Sequence, residues 1–386
     1  MAAITLPRII RIGGGALADL PAALAQAGLS RPFIVTDGFL AGNGMADRLE
    51  AILNDAGMAS RTFSGTLPDP TIAVVEAALA ALDDGDMPDC VIGFGGGSPL
   101  DTAKAVAALA TDRRPIPSMK APVVTDAPGL PIVAIPTTAG TGSEATRFTI
   151  ITDEASDEKM LCIGLAFLPT IAIVDYELTL AKPRRLTADT GIDSLTHAIE
   201  AYVSRHANAF SDAMALSAMR LIATNIRRAC DHPDDRAARE AMMIGAHHAG
   251  IAFSNASVAL VHGMSRPIGA FFHVPHGLSN AMLLPAITAF SADAARGRYA
   301  DCARAMGVAS EGEGDQSAVA RLLEELGALN RDLGVPSPAA WGIDEARYMS
   351  LVDTMAAQAL ASGSPANNPR VPDAAEIADL YRAVFA

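Results

Sequence analysis

The chain of 386 residues is poor in cysteine, in aromatic side chains and in charge. Its four cysteines, Cys90, Cys162, Cys230 and Cys302, lie far apart and form no CxxC pair. With no basic n-region and no cleavage segment at the start, this points to a reducing, cytoplasmic compartment. Long hydrophobic runs are also missing. The apolar stretches around residues 131–135 and 171–174 are too short to cross a bilayer, and charges interrupt the longer ones, so no membrane span is expected. Basic residues are the minority, 29 against 43 acidic, and the net charge of -14 repels a phosphate backbone. Nucleic acid is not an expected partner.

Half of the residues are apolar and only 19% are charged, so the chain can bury extensive surface and is not a disordered segment. Its length exceeds what one growing core accommodates and suits two domains with a cleft. The first half alternates short β-rich runs with alanine- and leucine-rich segments. Residues 32–37, 89–96, 131–138 and 170–175 read as strands, and 45–57, 72–84 and 98–110 as helices. This is a βα pattern around a largely buried sheet. After Pro183 the character changes to long alanine-, leucine- and methionine-rich segments with few β-branched runs, which predicts an all-helical second domain. The division is therefore 1–183 and 184–386.

Two glycine loops stand out in the first half. In VIGFGGGSPLDTAK, residues 91–104, a strand runs into Gly95, Gly96 and Gly97, with Ser98 and Pro99 where a helix would start. Glycine permits a tight turn and close backbone approach, and amides at a helix start offer donors to a phosphate. The pattern departs from the common dinucleotide fingerprint, with Ser98 in place of its last glycine, so a purely structural turn is the alternative. TTAGTGSE, residues 137–144, follows another apolar strand; Thr137, Thr138, Thr141 and Ser143 can supply donors to a second part of the same ligand, or close the sheet edge. Asp37 ends the strand-like run FIVTD. A carboxylate there can accept from adenosine ribose hydroxyls and repel a 2′-phosphate, favouring NAD, or it can cap the next turn. Asp112 adjoins Arg113 and Arg114 in an expected surface loop and is a weaker choice.

The second half concentrates imidazole. VHGMSRPIGAFFHVPHG, residues 261–277, holds His262, His273 and His276 around Arg266, whereas the rest of the chain has five histidines. In TADTGIDSLTHAIEAYVS, residues 187–204, Asp193 and His197 are four apart and share a helix face, suited either to a shared ion or to a hydrogen bond between them. His262 and His276 would complete a set of one carboxylate and three imidazoles, leaving a divalent cation about one positive charge for Lewis-acid work on a substrate oxygen. Such ligands suit Fe(II), Zn(II), Co(II) or Ni(II). Glu200 can orient a ligand from behind or sit on the helix surface. His247 and His248 are adjacent and leave a helix in different directions, so they do not serve one ion together. His206 and His232 sit in polar or turn-like settings.

GGGSPLDTAK at 95–104, PTTAGTGSE at 136–144, TGIDSLTHAIEAYVS at 190–204, and the HG and PHG of 262–277 together resemble the iron-containing alcohol dehydrogenase family, of the dehydroquinate-synthase-like fold group. Their order extends the resemblance over nearly the whole chain. It implies an α/β nucleotide-binding domain, a helical metal-binding domain and catalysis in their cleft, with NAD as cofactor and Fe(II), or alternatively Zn(II), on Asp193, His197, His262 and His276. It places the dinucleotide on Gly95–Ser98 and Thr137–Ser143 with Asp37, associates Asp101 with the cofactor and brings Lys159 to its ribose. It also implies a homo-oligomer.

Two residues depart from the family pattern: many relatives carry histidine where this chain has Arg266, and a small polar or acidic residue where it has His273. Arg266 can bind an anionic substrate group with paired donors, or hold a helix end through a salt bridge. His273 can relay a proton, or pack between Phe272 and Val274. The expected activity is NAD(H)-linked oxidation of an alcohol or reduction of an aldehyde or ketone. The alternatives are a reductase for an anionic oxo acid of the maleylacetate kind, a metal-dependent cyclase that uses NAD transiently, and a non-enzymatic protein in which the loops are only turns.

Overall fold

The β-branched runs of the first half assemble into a six-stranded sheet. In the computed structural model, which describes residues 2–156 and 158–386, β1 (Ile9–Ile12), β2 (Pro32–Asp37), β3 (Arg61–Thr66), β4 (Cys90–Gly95), β5 (Ile132–Pro136) and β8 (Ile171–Val174) lie in the order β1-β8-β5-β4-β2-β3. All five pairings are parallel, with Ile34 beside Ile92 and Val91 beside Ile132. A parallel sheet is covered on both faces, which is why β2, β4 and β5 read as continuous apolar runs. Alternate residues serve opposite layers. Ile34, Ile92 and Phe94 pack with Leu20 and Leu24 of α1 (Leu20–Ala27) and Leu49 and Leu53 of α3 (Met45–Asp55), beyond the short α2 (Gly38–Gly42). Phe33, Val35 and Val91 face Val75 and Ala78 of α4 (Ile72–Asp83) and Ala103 and Val106 of α5 (Gly97–Thr111).

Each strand and helix expected in this half coincides with an observed one, and α5 runs one residue past its expected range at each end. β1, β3 and the antiparallel hairpin of β6 (Phe148–Asp153) and β7 (Glu158–Ile163) were not anticipated. β1 has four residues and sits at an edge, and the RTFSGT of β3 lacks an apolar run. The topology matters for ligands. From β2 the chain steps outward to β3, and β4 then returns to the other side of β2, so the carboxyl ends of β2 and β4 flank a switch point where open α/β sheets take ligands.

This part, Thr5–Leu180, is one compact unit, and Ala181–Ala386 build most of the other. Among its described residues the second unit holds helices and no strand: α6 (Arg184–Val203), α7 (Ala209–Asp231), α8 (Arg236–Ala256), α9 (Leu260–Phe272), α10 (His276–Ser291), α11 (Arg296–Ala305), α12 (Asp315–Leu333), α13 (Pro338–Trp341), α14 (Glu345–Ala361) and α15 (Ala374–Val384). Side chains start them: Asn208 and Ser211 form a reciprocal capping box on α7, and Asp235 caps α8. α6 is buried almost throughout from Thr187 to Val203. It packs so closely that a Cβ on Gly191 would lie 2.7 Å from Ile226 Cδ1 and 2.8 Å from Met242 Cε. No helix of the described residues is long and apolar enough to cross a membrane.

Candidate metal and dinucleotide sites

α6 presents Asp193 and His197 from successive turns, α9 presents His262, and His276 opens α10. One ligand atom from each lies within 4.8 Å of the others. Asp193 Oδ1 is 3.4 Å from His262 Nε2 and 3.9 Å from both His197 Nε2 and His276 Nε2. A tetrahedral site with ligand bonds of about 2.1 Å has edges of about 3.4 Å, so these four donors lie at or somewhat beyond the spacing that a divalent transition-metal ion would impose. The side chains of Asp193, His197 and His262 are 3–5% exposed, whereas that of His276 is 31% exposed, so the cluster opens on His276's side.

The ligands are held from behind. Glu200, one turn beyond His197, accepts from Val261 N at 2.6 Å and pairs with His262 Nδ1 at 2.5 Å, which leaves His262 Nε2 to face the cluster. His197 is stacked between Phe253, at 4.3 Å between ring centroids, and His262, at 4.5 Å. Burial by itself would raise the Asp193 carboxyl, yet His197, His276 and His262 hold it well below the usual carboxylate range. For His262 burial opposes charge, but Glu200 and Asp193 carry its pKa up to about 9. The pocket is therefore built for positive charge. Backbone proximity completes it: a Cβ on Gly277 would lie 2.5 Å from Asp189 O, so glycine lets α10 begin against α6.

Arg266, one turn after His262, is buried, and burial lowers its pKa to about 10. Its Nη1 donates to Ser364 Oγ at 3.0 Å, and no carboxylate forms a salt bridge with it among the described residues, so the expected salt bridge at the helix end is absent. His273 is exposed and ends α9 in the left-handed region, at φ 53°, with its N–H on Gly269 O. His247 and His248 lie outside the cluster, and His248 Nδ1 pairs with Ser217 Oγ at 3.0 Å.

In the other unit the two glycine loops meet. A Cβ on Gly97 would lie 2.9 Å from Thr141 Cγ2, and one on Gly96 would lie 3.7 Å from the Thr138 side chain. Thr137 N donates to Gly95 O at 2.8 Å. Gly95 has φ 154° and no room for a Cβ, which would stand 2.5 Å from Pro99 Cγ. α5 begins at Gly97, one residue before the expected Ser98, and no side chain caps it. Its first amides suit an anion. Asp101 and Lys104 fasten the second loop to this helix. Asp101 accepts from Ser143 Oγ at 2.8 Å and Ile150 N at 2.9 Å, and the fully buried Lys104 ammonium donates to Thr146 O, Thr146 Oγ1 and Phe148 O.

The remaining expected cofactor residues have protein partners. Asp37 Oδ1 caps α2 by accepting from Leu40 N at 2.8 Å, and its other oxygen has no hydrogen bond among the described residues. Lys159 Nζ pairs with Asp69 at 2.7 Å, and Asp69 itself has a left-handed backbone at φ 52°. Asp112 and Arg114 pair with each other, and Arg113 pairs with Asp83, as a surface loop requires. Sequence reasoning missed Lys104, Asp69, Gly277 and Asn280; Lys104 and Gly277 stood inside quoted motifs without a role, and nothing local marked the other two.

The family description "Iron-containing alcohol dehydrogenase" matches residues 7–176, and "Fe-containing alcohol dehydrogenase family, C-terminal" matches residues 187–385. The chain is 36% identical to the lactaldehyde reductase of Escherichia coli (strain K12) over 375 residues, 97% of each chain. It is 35% identical to the NAD-dependent methanol dehydrogenase of Bacillus methanolicus over 378 residues, 98% of each. A crystal structure of a 1,3-propanediol oxidoreductase superposes over 100% of both chains, with a TM-score of 0.94 and 33% identity.

Proposed function

The chain belongs to the iron-containing alcohol dehydrogenase family, and from that premise we propose that it exchanges hydride between NAD(H) and short neutral alcohols or aldehydes at an Fe(II) centre. The fold is dehydroquinate-synthase-like, and the family activity is NAD-dependent alcohol and aldehyde oxidoreduction with a divalent metal. The observation that carries the proposal is the cluster of Asp193, His197, His262 and His276, with one donor atom from each within 4.8 Å of the others. A divalent cation held there would supply a Lewis acid for an alcohol or carbonyl oxygen, and NAD(H) would supply the hydride chemistry.

The chain's residues prepare that step. Asp193 and the three imidazoles hold the cation, and Glu200 fixes His262 so that its Nε2 faces the other donors. The amides of Gly97 and Ser98 at the start of α5 would hold the pyrophosphate, with Thr138 and Thr141 of the adjoining loop beside them. Asp37, at the carboxyl end of β2, takes the ribose and disfavours NADP. Asp101 acts as the tie that holds Ser143 rather than as a direct cofactor contact, and Lys159 approaches the ribose with its charge shared by Asp69. His273 exchanges protons with water near the substrate, supported by its exposure three residues before His276.

Neutral substrates are favoured over an anionic oxo acid. The relatives at 33–36% identity described above are named for lactaldehyde, methanol and 1,3-propanediol, and Arg266 Nη1 donates to Ser364 of its own chain. The proposal includes cytoplasmic residence, in keeping with four free buried cysteines, and homo-oligomeric assembly, which light scattering would measure. The test is NADH oxidation by Fe(II)-loaded and Zn(II)-loaded protein with matched neutral and anionic aldehydes. Chelator-sensitive turnover of neutral aldehydes with NADH, faster with Fe(II) and weak with NADPH, is expected. Turnover that survives complete metal removal would overturn the mechanism, and turnover confined to anionic aldehydes would overturn the substrate assignment.

A further inference from the structure

Asn280 lies on α10 one turn after His276 and is fully buried. Its Nδ2 donates to Asp193 Oδ1 at 2.7 Å and lies 3.1 Å from His262 Nε2 and 3.2 Å from His276 Nε2. Its Oδ1 is buried and has no hydrogen-bond partner. The orientation of the amide follows from Asp193: turned over, the amide would set an acceptor oxygen against a carboxylate oxygen.

Two features separate this side chain from ordinary core filling. Each of its side-chain hydrogen bonds goes to a residue of the metal cluster, so the amide serves no other part of the fold. It also leaves a buried acceptor unsatisfied, a cost that an apolar side chain of similar size would avoid. An amide donor is neutral, so it adds no positive charge beside a cation. Its two hydrogens cannot serve three acceptors at once. The short bond to Asp193 is the one compatible with cation binding, because an imidazole lone pair that ligates a cation no longer accepts a hydrogen.

We propose that Asn280 is a positioning residue of the metal centre, fixing the Asp193 oxygen that faces the three imidazoles and thereby setting metal affinity. This rests on the metal reading above. Outer partners that orient a metal ligand are worth roughly 10–100-fold in affinity.

The experiment is a chelator competition with Zn(II) as the probe on the full-length protein and its Asn280→Leu and Asn280→Ala variants, with NADH binding and thermal unfolding of the metal-free forms measured in parallel. Leu keeps the volume and removes the donor, whereas Ala removes both. Both variants are expected to bind Zn(II) about 10–100-fold more weakly with NADH affinity unchanged, and only Ala lowers the metal-free Tm. Zn(II) affinity in the Leu variant within threefold of wild type overturns the proposal, as does a loss confined to Ala, which would mark a packing role. If the Leu variant does not fold, wild-type affinity in the Ala variant overturns it equally. A wild-type protein that takes up no divalent cation sinks the metal reading itself and this inference with it, whereas a wild type that binds beside a Leu variant that binds equally sinks this inference alone.

Discussion

The carboxylate of Glu200 spans two consecutive residues of α9, taking Val261 N on one oxygen and His262 Nδ1 on the other at 2.5 Å. Sixty-two residues separate Glu200 from His262, yet this contact sets both the tautomer and the direction of a metal ligand. Glu200→Gln keeps the shape but confronts Nδ1 with an amide. Metal affinity is expected to fall about 10–100-fold, with turnover partly restored by excess metal, as titration of activity against free Fe(II) would show. Unchanged affinity would reduce Glu200 to a helix-packing residue.

Gly277→Ala tests the packing that lets His276 begin α10. The added Cβ would stand 2.5 Å from Asp189 O and 3.3 Å from Asp193 Cβ, and backbone atoms cannot rotate away. We expect a loss of about 1–3 kcal/mol in unfolding free energy together with reduced metal content. Full metal content would show that α10 relaxes without moving His276.

Gly97→Ala perturbs the other site alone. The new methyl group would meet Thr141 Cγ2 at 2.9 Å, where the two loops touch. NADH binding followed by fluorescence is expected to weaken by on the order of tenfold, equivalent to about 1.4 kcal/mol, while Zn(II) affinity stays at the wild-type value. A parallel loss of metal would contradict the assignment of separate roles.

Lys104 gives a pH signature. Burial depresses its pKa from the ordinary 10.5 to about 8, against the pull of Asp101 and Glu144. Below pH 8 the folded protein carries the buried charge at full desolvation cost; between about 8 and 10.5 the unfolded chain holds a proton that the folded state has released. This group therefore makes stability rise with pH across that window, by at most about 1.4 kcal/mol per pH unit. Subtracting the unfolding free energies of Lys104→Met from those of wild type, pH by pH, isolates the slope. A flat difference would mean the lysine keeps its proton through the ties to Thr146 and Phe148.

His273→Asn and Arg266→Lys test the two side chains beside the cluster whose roles are proposed. His273→Asn is expected to lower kcat with metal content unchanged. Arg266→Lys loses the Nη1 donor that reaches Ser364 and is expected to lower Tm without changing the preference for neutral over anionic aldehydes. A changed preference would return Arg266 to substrate selection.

The sequence alone determined what is local: the βα alternation, the two glycine loops, the helical second half, and the carboxylate and three imidazoles that stand at helical spacing or beside glycine. Those features arise from backbone propensity and near-neighbour geometry, which a short window contains. Tertiary structure decided which polar groups face one another. Glu200 meets His262, Asn280 meets Asp193 across 87 residues, Lys104 meets Thr146 across 42, and Arg266 meets Ser364 across 98. Asp37 shows the same division, because its position predicted both a ribose acceptor and a cap, and the path of α2 placed Leu40 N on one oxygen while leaving the other. Hydrogen-bond partners distant in the chain are chosen when helices and strands pack, and the chemistry of one residue does not name the residue that packing will bring to it.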